Sequence, residues 1–115
     1  MQAGELAKRL GLEVAAGEAA LDNELNGCYI CDLLSYVMSH ASQGNVWITV
    51  QTNINVVAVA VLTEVGCVIV PENIAIDALT REKAQEENVV LLRSSMSAYE
   101  LALRIHECLQ PSHGG

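Results

Sequence analysis

At 115 residues and 12.3 kDa the chain is sized for one domain, and with 51% apolar and 17% charged residues it can offset the entropy of ordering, which excludes an intrinsically disordered tail. Fourteen Asp and Glu against six Lys and Arg leave a net charge of -8 and a pI near 4.6. Such a chain repels phosphodiester backbones and anionic lipid, so neither nucleic acid nor a membrane surface is an expected partner.

Residues 1–12 read as an amphipathic helix carrying Glu5, Lys8 and Arg9, without the apolar region and cleavage site of a signal peptide, and a cytoplasmic location is expected. The longest apolar run, 56–62, is far short of the roughly 20 residues that a membrane helix needs. After a short segment at 12–15, residues 24–30 read as a strand and 33–41 as a helix, with Asp32 as N-cap and Leu33, Leu34, Val37, Met38 and Ala41 as its buried stripe. Residues 45–50 form a β-branched strand, followed by a polar loop of Gln51, Thr52 and Asn53. The stretch 54–65 is apolar on every side; its valines favour strand, its length and the Asn53 cap favour helix, and helix is the reading adopted.

Two continuous apolar runs, 67–70 before Pro71 and 89–92, have the pattern of strands covered on both faces. A charged helix at about 77–87 lies between them, closed by Asn88 in a left-handed conformation. Ser97 and Glu100 form a capping box for the last helix, on which Ala98, Leu101, Ala102, Ile105, Cys108 and Leu109 recur at helical spacing. The domain is expected over 1–112, with 113–115 as a flexible tail. Strands alternating with helices predict a single α/β domain: a small, mostly parallel sheet with flanking helices.

Cys28-Tyr29-Ile30-Cys31 is a C-x-x-C at a strand–helix junction, where thiol-redox and metal sites occur. A structural zinc wants four ligands, and no second C-x-x-C is present. In extended backbone the two Cα atoms lie about 10 Å apart, beyond the about 7 Å that a disulfide tolerates. Cys28, Cys31, Cys67 and Cys108 are therefore read as small free thiols, with a thiol-redox or metal site at Cys28 and Cys31 as the alternative. The chain has no phosphate loop, H-E-x-x-H or nucleophile elbow, and His40, His106 and His113 are scattered. Kinase, ATPase and hydrolase chemistry lack their minimum parts, and no cofactor is expected.

Polar residues instead gather at the expected C-terminal ends of strands: Asp32 and Ser35; Gln51, Thr52, Asn53 and Asn55; Glu72 and Asn73; Ser94, Ser95 and Ser97. Helix N-termini present unpaired amides there, and that edge is where open α/β sheets bind ligands. Asp32, Asn53 and Ser97 also explain themselves as caps, which leaves the 51–55 loop as the most informative candidate. Arg93 reads as a solvated strand end before an anion partner. The all-apolar helix at 54–65 needs cover on more than one side, from a second subunit or from a neighbouring helix, and Trp47 and Tyr29 are read as core residues, with a place in such a subunit interface as the alternative.

The run Gly27-Cys28-Tyr29-Ile30-Cys31-Asp32-Leu33-Leu34-Ser35, then Trp47-Ile48-Thr49-Val50-Gln51-Thr52-Asn53-Ile54-Asn55, then Val89-Val90-Leu91-Leu92-Arg93-Ser94-Ser95 into Ser97-Ala98-Tyr99-Glu100, resembles the short stand-alone DRTGG-domain proteins over nearly the whole chain. The literal Asp-Arg-Thr-Gly-Gly run is absent. The resemblance implies a small α/β domain, similar in fold to the non-catalytic N-terminal domain of HPr kinase/phosphorylase. In larger proteins such domains accompany phosphotransacetylases and pyrophosphatases with CBS domains, which implies regulation more than catalysis. Stand-alone relatives, typical of anaerobic bacteria and encoded beside iron-only hydrogenase components, imply a link to hydrogenase or redox-enzyme systems. The expectation is a cytoplasmic, non-enzymatic homodimer that binds a small molecule or a partner protein through Asp32, Ser35, Gln51, Thr52, Asn53, Asn55, Ser94, Ser95 and Ser97.

Overall fold

The computed structural model describes residues 1–110, so the expected tail at 113–115 lies outside the described residues. In chain order the elements are α1 (Ala3–Leu10), β1 (Glu13–Ala16), a single 3-10 turn (Glu18–Ala20), β2 (Gly27–Ile30), α2 (Leu34–His40), β3 (Asn45–Ile48), α3 (Asn55–Thr63), β4 (Cys67–Val70), α4 (Ala78–Glu86), β5 (Leu91–Arg93) and α5 (Ala98–Leu109). The strands form one sheet in the order β1-β5-β4-β3-β2. β2 through β5 are mutually parallel, and β1 runs antiparallel to β5.

This topology settles the ambiguity of the valine-rich stretch. β3 and β4 are parallel neighbours, and parallel neighbours must be joined by a crossover rather than a tight turn. The valines therefore build α3 despite their strand propensity, with the Asn53 carboxamide accepting from the Asn55 N–H (2.9 Å) and Glu64 closing the helix at φ 57°. Because β2, β3, β4 and β5 step across the sheet in one direction, crossovers of one hand place α2, α3 and α4 on a single face.

Two apolar layers follow from the pleat. Val46, Ile48, Cys67, Ile69 and Leu92 point towards α1 and α5, where Leu6, Leu101 and Ile105 are fully buried. Trp47, Val68, Val70 and Leu91 point towards α2, α3 and α4 and meet Val37, Val57 and Ala84. Trp47 is completely enclosed, and its indole N–H donates to the Cys31 carbonyl at 2.9 Å. Gly17 sits at φ 83°, where a Cβ would collide with the Val89 carbonyl, so this turn accepts only glycine.

Some helix faces differ from their sequence expectation. On α2 only Val37 is buried; Leu33 is 58% and Met38 48% exposed, because α2 is the outermost helix of its layer and has a neighbour, α3, on one side only. Asp32 does not cap α2, whose N-cap is Leu33 with no side-chain hydrogen bond. α3 is covered by α2 and α4 but leaves Val61 and Leu62 outside. Val89 and Val90 are buried as expected but lead into β5 instead of forming it. The Ser97 cap holds, its hydroxyl accepting from the Glu100 N–H at 3.2 Å. No helix among the described residues is long and apolar enough to cross a membrane.

Candidate functional site

The polar strand ends separate into two groups. The first joins β2 to β3. Asp32 follows β2, and its Oδ1 accepts from both the Thr49 hydroxyl and the Val50 N–H at 2.9 Å each, just beyond β3. The Thr49 oxygen in turn accepts from the Gln51 N–H (3.2 Å), and the Gln51 carboxamide donates back to the Asp32 carbonyl (3.1 Å). Asn53 donates to the Gln51 Oε1 at 3.1 Å and accepts from the Asn55 N–H just ahead of α3, whose N-cap is Ile54 and not Asn53 as expected. Below the loop, the buried Thr80 hydroxyl of α4 donates to the Thr52 carbonyl at 2.7 Å. Each bond fixes the 51–55 backbone. The side chains of Ser35, Thr52 and Asn55 take no part, and they remain available to an outside group.

Thr49 and Thr80 were not among the residues singled out from sequence. Each is 1% exposed and anchors the loop from inside. A lone threonine in a strand or on a charged helix carries no signal of such a role, since its partners are 17 and 28 residues away.

The second group sits where β4 and β5 end. The helix after β4 lies on one face and that after β5 on the other, so the two loops diverge and open a crevice of the kind in which open α/β sheets hold ligands. Here the crevice is closed by its own chain. The Asn73 N–H donates to the Ser94 carbonyl (2.8 Å) and the Glu72 N–H to that of Met96 (2.9 Å), with Glu72 and Asn73 both at positive φ. Arg93 donates to the Ile74 carbonyl (2.9 Å) and the Asn73 carbonyl and pairs with Glu13 at 3.4 Å, so it is a clamp on this loop and not a solvated strand end. Ser94 is buried, and its hydroxyl accepts from the Met96 N–H at 3.0 Å. Ser97 is spent on its cap, which leaves Ser95 exposed. Asp32, Gln51, Thr52, Asn53 and Asn55 are thus brought together with Ser35 near them at the start of α2, while Ser94, Ser95 and Ser97 lie apart, across β4.

An apolar groove of about 350 Å³ adjoins the first group, lined by Ile54, Asn55, Val57, Ala58, Val61 and Lys83 between α3 and α4. A larger hollow of about 760 Å³ runs along α1 past Leu21 and Val14, away from the polar loop.

The two cysteines of the C-x-x-C face opposite ways. Cys28 is in register with Val46, on the α1–α5 side, whereas Cys31 packs in the Trp47 layer on the other side. All four cysteines stand as free thiols. Desolvation pushes the Cys28 thiol from 9.0 up to about 11 and that of the enclosed Cys67 higher still, the reverse of what a nucleophilic thiolate needs. Among the described residues no three His, Cys, Asp or Glu side chains cluster in a way that could hold a metal.

The DRTGG domain family matches residues 5–108. The chain belongs to the DRTGG domain family. Among solved structures, the CBS and DRTGG domains of the regulatory region of Clostridium perfringens pyrophosphatase, complexed with the activator diadenosine tetraphosphate, superpose with a TM-score of 0.70 at 14% identity. The match covers 87% of this chain and 44% of that one, so the DRTGG chain spans less than half of its solved neighbour. No curated protein matches.

Proposed function

We propose that this DRTGG domain is a non-enzymatic regulatory domain that binds a small nucleoside-type molecule at the shared end of β2 and β3. The observation that carries the reading is the division of labour in the 51–55 loop. Asp32, Thr49, Gln51 and Asn53 spend their polar groups on holding it, while the Thr52 hydroxyl and the Asn55 carboxamide are left free beside an apolar groove. A flat base suits the walls formed by Ile54, Val57, Ala58 and Val61, and amide and hydroxyl groups at the mouth suit its polar edge. Lys83 is the cation on that wall, offset by Glu87 at 3.3 Å, which favours the nucleoside part of a ligand over its phosphates. The fold shared with a regulatory region crystallised with an adenine dinucleotide supports the ligand class.

The same reading takes the chain as a cytoplasmic homodimer whose ligand state is passed to a protein partner, with a hydrogenase or related redox enzyme as the partner class that the stand-alone relatives suggest. Calorimetric titration with diadenosine tetraphosphate tests the site. The parent chain is expected to bind, and the pair Thr52→Ala, Asn55→Ala to bind at least about tenfold more weakly, a loss of about 1.4 kcal/mol, with an unchanged melting midpoint. Equal binding by both proteins would remove these residues from the site.

A further inference from the structure

The sheet has two outer strands, and only one of them is guarded. β1 carries Glu13, is bulged between Val14 and Ala16, and draws Arg81 and Arg93 to within 3.8 and 3.4 Å of the Glu13 carboxylate. Charge and a bulge on an edge strand keep other strands from adding to it. β2 has neither. Gly27–Ile30 contains no charged residue and no proline, and it pairs with β3 in unbroken register. The Cys31 N–H donates to the Ile48 carbonyl at 3.3 Å, so in the parallel ladder Gly27 and Tyr29 bond to β3 and the amides and carbonyls of Cys28 and Ile30 face the open side.

The surface flanking this edge is also apolar. Ile30 is 50% exposed beside Cys28 on one face. On the other, His40 stacks on Tyr29 and Tyr36 with ring centroids 6.3 and 5.0 Å away. From residue 25 to 63 the single Asp, Glu, Lys or Arg is Asp32, whose Oδ1 is already held by Thr49 and Val50. Among the described residues, eight of the eleven exposed large apolar side chains fall in this stretch, in a chain with a net charge of -8. Thirteen of the fourteen Asp and Glu lie outside this stretch, so two copies that meet here keep acid away from acid.

We infer that β2 pairs antiparallel with β2 of a second copy about a two-fold axis, continuing the five-stranded sheet across it. The inference rests on the homodimer part of the proposed function and assigns its contact. A strand that carries no charge is complementary to its own reversed copy, as an isologous interface requires. With the axis at Tyr29, the outward amide and carbonyl of Cys28 bond to those of Ile30 of the partner subunit, once on each side of the axis. Cys28 then lies opposite Ile30 of the partner subunit, apolar against apolar on one face.

Sedimentation of the full chain is expected at twice the 12.3 kDa chain mass. Ile30→Lys places an ammonium in the pairing surface and is expected to sediment at the single-chain mass with its circular dichroism and melting midpoint kept, because Ile30 is half exposed in the lone chain. Leu62→Lys, on the outer side of α3, is expected to remain dimeric. Ile30→Cys under mild oxidation is expected to cross-link to Cys28 of the partner subunit, giving a covalent dimer that reductant cleaves. A parent chain at the single mass overturns the dimer itself. A parent dimer that survives Ile30→Lys overturns the β2 assignment and leaves the dimer reading standing, and its loss in Leu62→Lys would move the contact to α3.

Discussion

Cys28 and Cys67 show how far a residue's chemistry depends on what lies next to it. A C-x-x-C invites a redox or metal reading, but pairing β2 with β3 in register puts Cys28 on the Val46 side of the sheet and Cys31 in the Trp47 layer. The spacing was legible; the separation follows only from the strand extending through the motif. Burial raises the Cys28 thiol from 9.0 to about 11 and shifts Cys67 the same way, so the folded chain keeps protons that the unfolded chain has released. The sign follows from linkage: this contribution to stability is complete below pH 9.0 and is lost as the pH rises towards about 11. Melting midpoints measured from neutral pH to about pH 11 are expected to fall across that upper range, and less steeply in Cys67→Ala.

Among the elements, α5 was the most legible, because its cap and its apolar stripe both arise within one helix and are visible as spacing alone. α3 was legible as a helix from its length and the Asn53 before it, although its valines argued otherwise, and the parallel pairing of β3 with β4 supplies the reason, since such neighbours need a crossover. The junction of β2 with β3 was not. Asp32 reads as an N-cap from its place before a helical run, but it serves as a staple across 17 residues, with Thr49 and Val50 both donating to its carboxylate. Asp32→Ala leaves the Thr49 hydroxyl, 1% exposed, and the Val50 amide without their acceptor. The expected cost is about 1–3 kcal/mol in urea denaturation, whereas Asp32→Asn keeps an oxygen acceptor and is expected to cost less. Equal stability of Asp32→Ala and the parent would show that the staple carries no weight.

At the scale of the molecule, alternating strands and helices were enough to predict a mostly parallel α/β sheet, since fully apolar runs such as Cys67–Val70 must be covered on both faces. Strand order was not readable from one sequence, and the grouping of the polar ends depends on it. β4 separates the serines beyond β5 from the 51–55 loop, and the chain itself fills the crevice at β4 and β5. The ligand-binding account therefore rests on the end of β2 and β3, where the loop is held from inside and open outside. Amide chemical shifts recorded while the chain is titrated with diadenosine tetraphosphate test this most directly. The account predicts shifts concentrated at Ser35, Gln51 to Asn55 and the α3–α4 groove; shifts centred on the α1 hollow or on Glu72 to Ser97, or none at all, would contradict it.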